Sequence, residues 1–165
     1  MTQTVEITGP FLLQGEIGEH VLRSLPGWFG IESAIVQYRE TIDRLPTFVA
    51  RRGDEVVGFF TVERHFPESA ELHVLGVLEP HHGTGVGRAL LTHAEEWLLD
   101  DGCTWLQVKT VAEARKCKYY DRTRGWYLAM GFDPLQVFPL LWDESNPCLQ
   151  LVKRIDQSSI ATRPG

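Results

Sequence analysis

The chain reads as an α/β (α+β) protein: a mixed, mostly antiparallel central sheet flanked by helices, in one domain. Three observations predict this class. β-rich stretches bounded by Gly, Pro and Asp turn signals come in pairs, as in hairpins. Between them lie four segments whose apolar residues recur at three and four, the spacing of an amphipathic helix. Finally, 165 residues without an internal repeat, a low-complexity block or a linker fit one core.

Taken in order, Ile17, Val21, Leu22 and Leu25 predict a first helix over residues 16–25, stopped by Pro26-Gly27. Ile31, Ala34, Ile35, Tyr38 and Ile42 predict a second over 31–43, ending before Pro46. Residues 47–50 and 56–66 read as a hairpin around Arg51-Arg52-Gly53-Asp54, and Pro67-Glu68-Ser69 turns the chain again. Residues 71–77 are the next strand; simple alternation puts Leu72 and Val74 on one face and Glu71, His73, Leu75 and Val77 on the other. After a glycine-rich stretch, Val86, Ala89, Leu90, Ala94, Trp97 and Leu98 form one helical stripe, closed by Asp100-Asp101-Gly102. A short strand over 105–108 follows, then a helix through Tyr119, Thr123, Trp126, Tyr127 and Met130 with Gly131 as its C-cap. Strands near 135–138 and 148–153 bracket the turn-like stretch 143–147. The domain is expected to span 1–155, with a loose polar tail over 156–165.

Composition removes several function classes. No apolar run approaches the ~20 residues of a membrane span, and MTQTVEITGP lacks the basic and apolar regions of a secretory signal. A cytoplasmic protein with no membrane partner is therefore expected. Cys103, Cys117 and Cys148 are scattered and odd in number, which predicts neither a disulfide framework nor a zinc site, and no metal is expected. A net charge of −6 disfavours nucleic acid, because binding phosphates takes a basic surface, and suits a cationic acceptor better.

Chemistry concentrates in AELHVLGVLEPHHGTGVGRALL. A strand leads into three alternate glycines, Gly83, Gly85 and Gly87, and a helix begins at once. Glycines let backbone N–H groups approach a ligand unobstructed. The first N–H groups of a helix are unpaired and lie at its positive end, so the segment makes a cradle for phosphate. Tight packing alone also selects glycine before helices. The P-loop is excluded for lack of its lysine, and the Rossmann fingerprint by the glycine spacing.

His82-Gly83-Thr84-Gly85-Val86-Gly87, followed by Arg88-Ala89-Leu90-Leu91, resembles the pyrophosphate loop Q/R-x-x-G-x-G/A of the GCN5-related N-acetyltransferases, the GNAT superfamily, with His82 where Gln or Arg is usual. Downstream, Trp126-Tyr127-Leu128-Ala129-Met130-Gly131-Phe132 is similar to that family's F-Y-x-x-x-G-F motif. The wider run from Tyr120 to Phe132, with Asn146-Pro147-Cys148-Leu149, looks like an uncharacterised bacterial subgroup. The resemblance covers residues 47–154 well and the first helices loosely. It implies a GNAT-type acyl-CoA N-acyltransferase fold and acetyl-CoA as co-substrate. The acceptor it implies is a primary amine, on a small molecule or a peptide. It also allows a homodimer.

The resemblance also implies roles. The cofactor would meet His82, Gly83, Thr84, Gly85, Val86, Gly87 and Arg88, and its thioester carbonyl the backbone N–H groups near Leu75 and Val77. Gly76 between them can host a bulge. Tyr127 would protonate the leaving thiolate, since a phenol of pKa ~10 is protonated at neutral pH; its plain alternative is a packed core aromatic. Glu71, six residues before Val77, has the spacing of the catalytic glutamate in the family's histone acetyltransferases; a solvent-facing strand end explains it equally. His73 is the second candidate base. Lys109, Arg115, Lys116 and Lys118 read as a solvated basic loop that can also meet the coenzyme's 3′-phosphate. Trp28, Phe29 and Trp142 read as core or acceptor-pocket aromatics, and Asp143-Glu144 as an acidic turn. The open alternatives are a catalytically inactive CoA-binding sensor, transfer of a longer acyl group, and a regulator that binds another phosphate.

Overall fold

A computed structural model describes residues 3–161. The order is β1 (Glu6–Phe11), α1 (Gly15–Arg23), α2 (Glu32–Arg44), β2 (Thr47–Arg52), β3 (Glu55–Phe66), β4 (Ser69–Val77), a 3-10 turn (Glu79–His81), α3 (Val86–Asp100), β5 (Trp105–Val111), α4 (Lys118–Ala129), β6 (Asp133–Asp143), β7 (Asn146–Arg154) and α5 (Gln157–Ala161). The strands form a seven-stranded sheet in the order β1-β2-β3-β4-β5-β7-β6. It is antiparallel except for β4 and β5, whose parallel ladder runs from Ser69↔Trp105 to Leu72↔Val108. Among the described residues no helix is long and apolar enough to cross a membrane.

The chain divides into two compact units, Met1–Glu63 with His73–Trp97, and Arg64–Leu72 with Leu98–Gly165. In the first, Phe48 and Phe59 show why the strands are apolar on both faces. Phe48 meets Trp97 of α3 edge-on at 5.9 Å, whereas Phe59 joins Val21, Leu22, Leu25, Ile42 and Val74 in a buried cluster under α1 and α2. A strand covered on both faces loses the alternation of a half-exposed one. β1 has no counterpart in the sequence reading, because Gly9-Pro10 interrupts its pattern. Proline is tolerated here since β1 is an edge strand whose register with β2 shifts between Thr8 and Phe11.

In the second unit Leu106, Val108, Leu151, Ile155 and Phe132 are buried. β6 runs well beyond residues 135–138, and β5 beyond 108. Pro134 and Pro139 mask the length of β6, and as the other edge strand it leaves Leu135, Val137, Leu140, Leu141 and Trp142 exposed. The stretch from 156, expected to be loose, holds the short helix α5. The Asp156 carboxylate accepts from the Ser159 N–H (2.7 Å) and the Ser158 hydroxyl (2.8 Å), an N-cap that lowers its own pKa. The remainder of that stretch, 162–165, lies outside the described residues.

Candidate active site

The glycine turn follows the 3-10 turn and opens into α3. Gly83 and Gly85 hold φ of 72° and 89°, left-handed values that disfavour other residues. A Cβ on either would meet nothing within 4 Å. Packing therefore does not account for these glycines; backbone conformation and outward access do. Val86 is buried and anchors the helix start, and the Ala89 N–H bonds the Gly85 carbonyl at 3.0 Å. Gly87 and Arg88 lie in the first turn of α3, the part of a helix whose N–H groups point outward along its axis. Thr84 closes the loop on itself, its hydroxyl donating to the His81 carbonyl at 2.7 Å.

His82 behaves differently. Its Nε2 lies 2.6 Å from the Val77 carbonyl, its backbone N–H bonds Glu79, and Trp28 meets the ring edge-on at 5.5 Å. The imidazole and the main-chain N–H of the first motif residue are thus engaged by the fold.

β4 departs from the expected alternation. Glu63 of β3 pairs with His73 (Oε2 to Nδ1, 3.7 Å), and the His73 ring packs edge-on to Tyr38 of α2. Four residues earlier on β3, and so on the same face, Phe59 lies 3.0 Å from where a Gly76 Cβ would sit, with Val21 of α1 also there. His73 and Gly76 are three residues apart, yet both meet the α1–α2 side. The alternation therefore slips between them, and Val77 points instead toward Gly58 and Val86. Glu71, His73, Leu75 and Val77 do not form one continuous face. Val74 joins Phe59 and Val21 on the same side as Gly76, so alternation holds from Val74 to Gly76 and the slip lies beside His73, ahead of the bulge expected at Gly76.

In the second unit Glu71 is buried, 8% exposed, not a solvent-facing strand end. The Lys109 ammonium donates to both its oxygens (3.1 and 3.0 Å), and His65 Nε2 lies 2.7 Å from Oε1. Lys109 is thus a strand residue of β5 in an ion pair and does not belong to a basic loop. The rest of that patch is dispersed: Arg115 bonds Asn146 and lies over the Tyr120 ring, and Lys118 lies over Tyr119. Asp143 bonds the Ser145 N–H and the Asn146 amide, which closes the β6–β7 turn.

Tyr127 sits where the second motif acquires a physical meaning. The Phe132 N–H bonds the Tyr127 carbonyl (3.1 Å) and the Gly131 N–H bonds Leu128 (3.1 Å), with Gly131 at φ 94°. This is a Schellman cap, and its hydrophobic contact is the Tyr127–Phe132 pair, ring centroids 5.5 Å apart. Tyr127 is 6% exposed and also meets Trp126. Beneath the cap Lys153 donates to the Met130 carbonyl (2.8 Å), and burial lowers its ammonium to about 8.

Arg52, Glu63, His65 and Lys109 as partners of the expected site residues escape a reading of the sequence. Each acts across strands, and period and spacing describe only one strand at a time.

The family model "Acetyltransferase (GNAT) family" matches residues 16–126, well over half of the chain. No curated protein matches it. Among solved structures, a GNAT-family protein of Desulfovibrio desulfuricans superposes with a TM-score of 0.80 at 16% identity, over 93% of this chain and 100% of that one. The ribosomal-protein-S18-alanine N-acetyltransferase of Escherichia coli gives 0.71 at 16%, over 93% and 96%. A GNAT acetyltransferase of Elizabethkingia anophelis with acetyl-CoA bound gives 0.69 at 15%, over 91% and 97%. At such identities these likenesses speak for the fold. With the family model matched across both the glycine turn and the start of the capped helix, the chain belongs to the GNAT acetyltransferase family.

Proposed function

We propose that residues 1–155 act as one N-acetyltransferase domain, which moves an acetyl group from acetyl-CoA to a primary amine by direct attack in a ternary complex. The observation that carries this is the open turn at Gly83 and Gly85, left-handed and free of neighbours, at the N-terminus of α3. It suits a pyrophosphate, which takes backbone N–H groups and the positive helix end. The neighbour with acetyl-CoA bound supports that choice of ligand.

Acetyl-CoA supplies an activated thioester; the chain must hold it, bind the amine and move two protons. N–H groups near Leu75 and Val77, at the C-terminal end of β4, donate to the carbonyl as it gains charge. His73 takes the ammonium proton, with Glu63 behind it to balance the imidazolium. Glu71 has both oxygens bonded by Lys109 and so holds the β4–β5 pairing beside the site, while His73 does the proton transfer. The amine nitrogen bonds to the carbonyl carbon, the C–S bond breaks as Tyr127 passes its proton to the thiolate, and the surplus proton on the new amide nitrogen returns to the Tyr127 phenolate through water, which leaves one proton on His73 for release to solvent. The acceptor is a small-molecule or peptide amine; the Escherichia coli neighbour is named for a protein alanine. Three free thiols suit the reducing cytoplasm, the location proposed here.

A second reading is favoured by one fact: Glu71 is ion-paired and Tyr127 is buried, so two of the three expected catalytic side chains are engaged by the fold. A CoA-binding sensor without turnover would look the same. Calorimetry with acetyl-CoA, against ATP as a control, is the first test; acetyl-CoA alone should bind. Steady-state assays on amine acceptors then separate the readings. An enzyme should lose at least tenfold in kcat in His73→Gln and in Tyr127→Phe. Tight acetyl-CoA binding with no turnover on any amine would leave the sensor.

A further inference from the structure

The glycine turn has no packing of its own, yet a phosphate cradle works only if its shape is set before the ligand arrives. What sets it is not His82, which is held by Val77 and Trp28. Arg52, at the end of β2, reaches the loop from outside the motif. One arm of its guanidinium donates to His81 Nδ1 at 2.9 Å, and the other to the Thr84 hydroxyl at 3.0 Å and the Thr84 carbonyl at 3.4 Å. A guanidinium only donates, so His81 Nδ1 must be an acceptor and its proton sits on Nε2, which lies 3.6 Å from Glu55. Glu55, His81, Arg52 and Thr84 therefore form a chain from the β2–β3 hairpin to the loop. Among the described residues the buried Arg52 Nε–H has no hydrogen-bond partner, so the guanidinium is held by its two terminal nitrogens.

We infer that Arg52 is the positioning residue of the acetyl-CoA phosphate loop: its fork fixes Thr84 and His81, and through them the turn at Gly83 and Gly85. It also brings a fixed positive charge to the loop. The inference rests on the acetyl-CoA reading above. Lysine has charge but no rigid two-armed fork, so it replaces Arg52 poorly.

The test is calorimetric binding of acetyl-CoA to the wild type and to Arg52→Gln, Arg52→Lys, Thr84→Val and the double variant Arg52→Gln/Thr84→Val, with kcat and KM wherever an acceptor turns over. Expected are a Kd raised about tenfold in Arg52→Gln, little rescue by Arg52→Lys, and a double variant no weaker than Arg52→Gln. KM for acetyl-CoA should rise with kcat within about twofold, and the unfolding midpoint of the unliganded protein should fall by no more than ~3 °C. Wild-type protein that does not bind acetyl-CoA overturns the acetyl-CoA reading and this inference together. Wild-type affinity in Arg52→Gln, full rescue by Arg52→Lys, additive losses in the double variant, or a large fall in the unliganded midpoint overturns the inference alone.

Discussion

Lys109→Met should destabilise the protein more than a surface charge deletion can. In the folded chain the Lys109 ammonium lies 3.0 and 3.1 Å from the two oxygens of Glu71, a carboxylate 8% exposed. Removing the cation leaves the buried anion with His65 as its partner. Breaking a fully buried pair costs about 3–5 kcal/mol, but Lys109 retains 27% side-chain exposure, so about 2–3 kcal/mol is expected. Glu71→Gln should cost less, about 1–2 kcal/mol, because the amide still accepts from Lys109. Lys109→Met/Glu71→Leu should cost under about 1 kcal/mol, since neither charge then remains unpaired. Urea unfolding followed by tryptophan fluorescence, with unchanged m, of Lys109→Met, Glu71→Leu and their double variant supplies the double-mutant cycle. A Lys109→Met cost below about 0.5 kcal/mol, or additive single variants, would refute the claim that Lys109 compensates Glu71. It would also return Glu71 to contention as the base, because its oxygens would then be free to take a proton.

Two further outcomes follow from the structure. Burial lowers the Lys153 ammonium to about 8, whereas the unfolded chain binds that proton with a pKa of ~10.4. The unfolded state then holds the extra proton, so stability should rise from about pH 7 to about pH 9.5 by about 2 kcal/mol, and Lys153→Met should lack this rise. Cys103 and Cys148, their thiols pushed up by burial, act with the opposite sign at higher pH. The quantity to measure is therefore the difference between wild-type and Lys153→Met unfolding profiles; parallel profiles refute the effect. Gly85→Val should strain a backbone at φ 89° by about 1–2 kcal/mol, at a position where an added Cβ meets nothing within 4 Å among the described residues. Acetyl-CoA binding should weaken about tenfold or more, as calorimetry reads it, and a Gly85→Val protein with wild-type affinity would show that the turn does not cradle the ligand.

Local order determined what the sequence could reveal. The three-and-four spacing of Val86 to Leu98 and of Tyr119 to Met130 appears as α3 and α4, because a helix repeats within its own segment. Gly131 could be read as a cap from position alone, and the structure adds only the Tyr127–Phe132 ring contact that completes it. The glycine turn was legible for the same reason: its chemistry belongs to consecutive backbone N–H groups. By contrast, tertiary structure decided whatever depended on a neighbouring strand. Pro134, Pro139 and Gly9-Pro10 obscured β6 and β1, since only sheet order shows these to be edges where proline is harmless. The slip between His73 and Gly76 is invisible to alternation because it is fixed by β3 and by α1 packing against β4. Lys109 and Glu71, 38 residues apart, and Arg52 and Thr84, 32 apart, meet only when strands align. A side chain's partner is chosen by the fold's register, and register is a property of two segments at once.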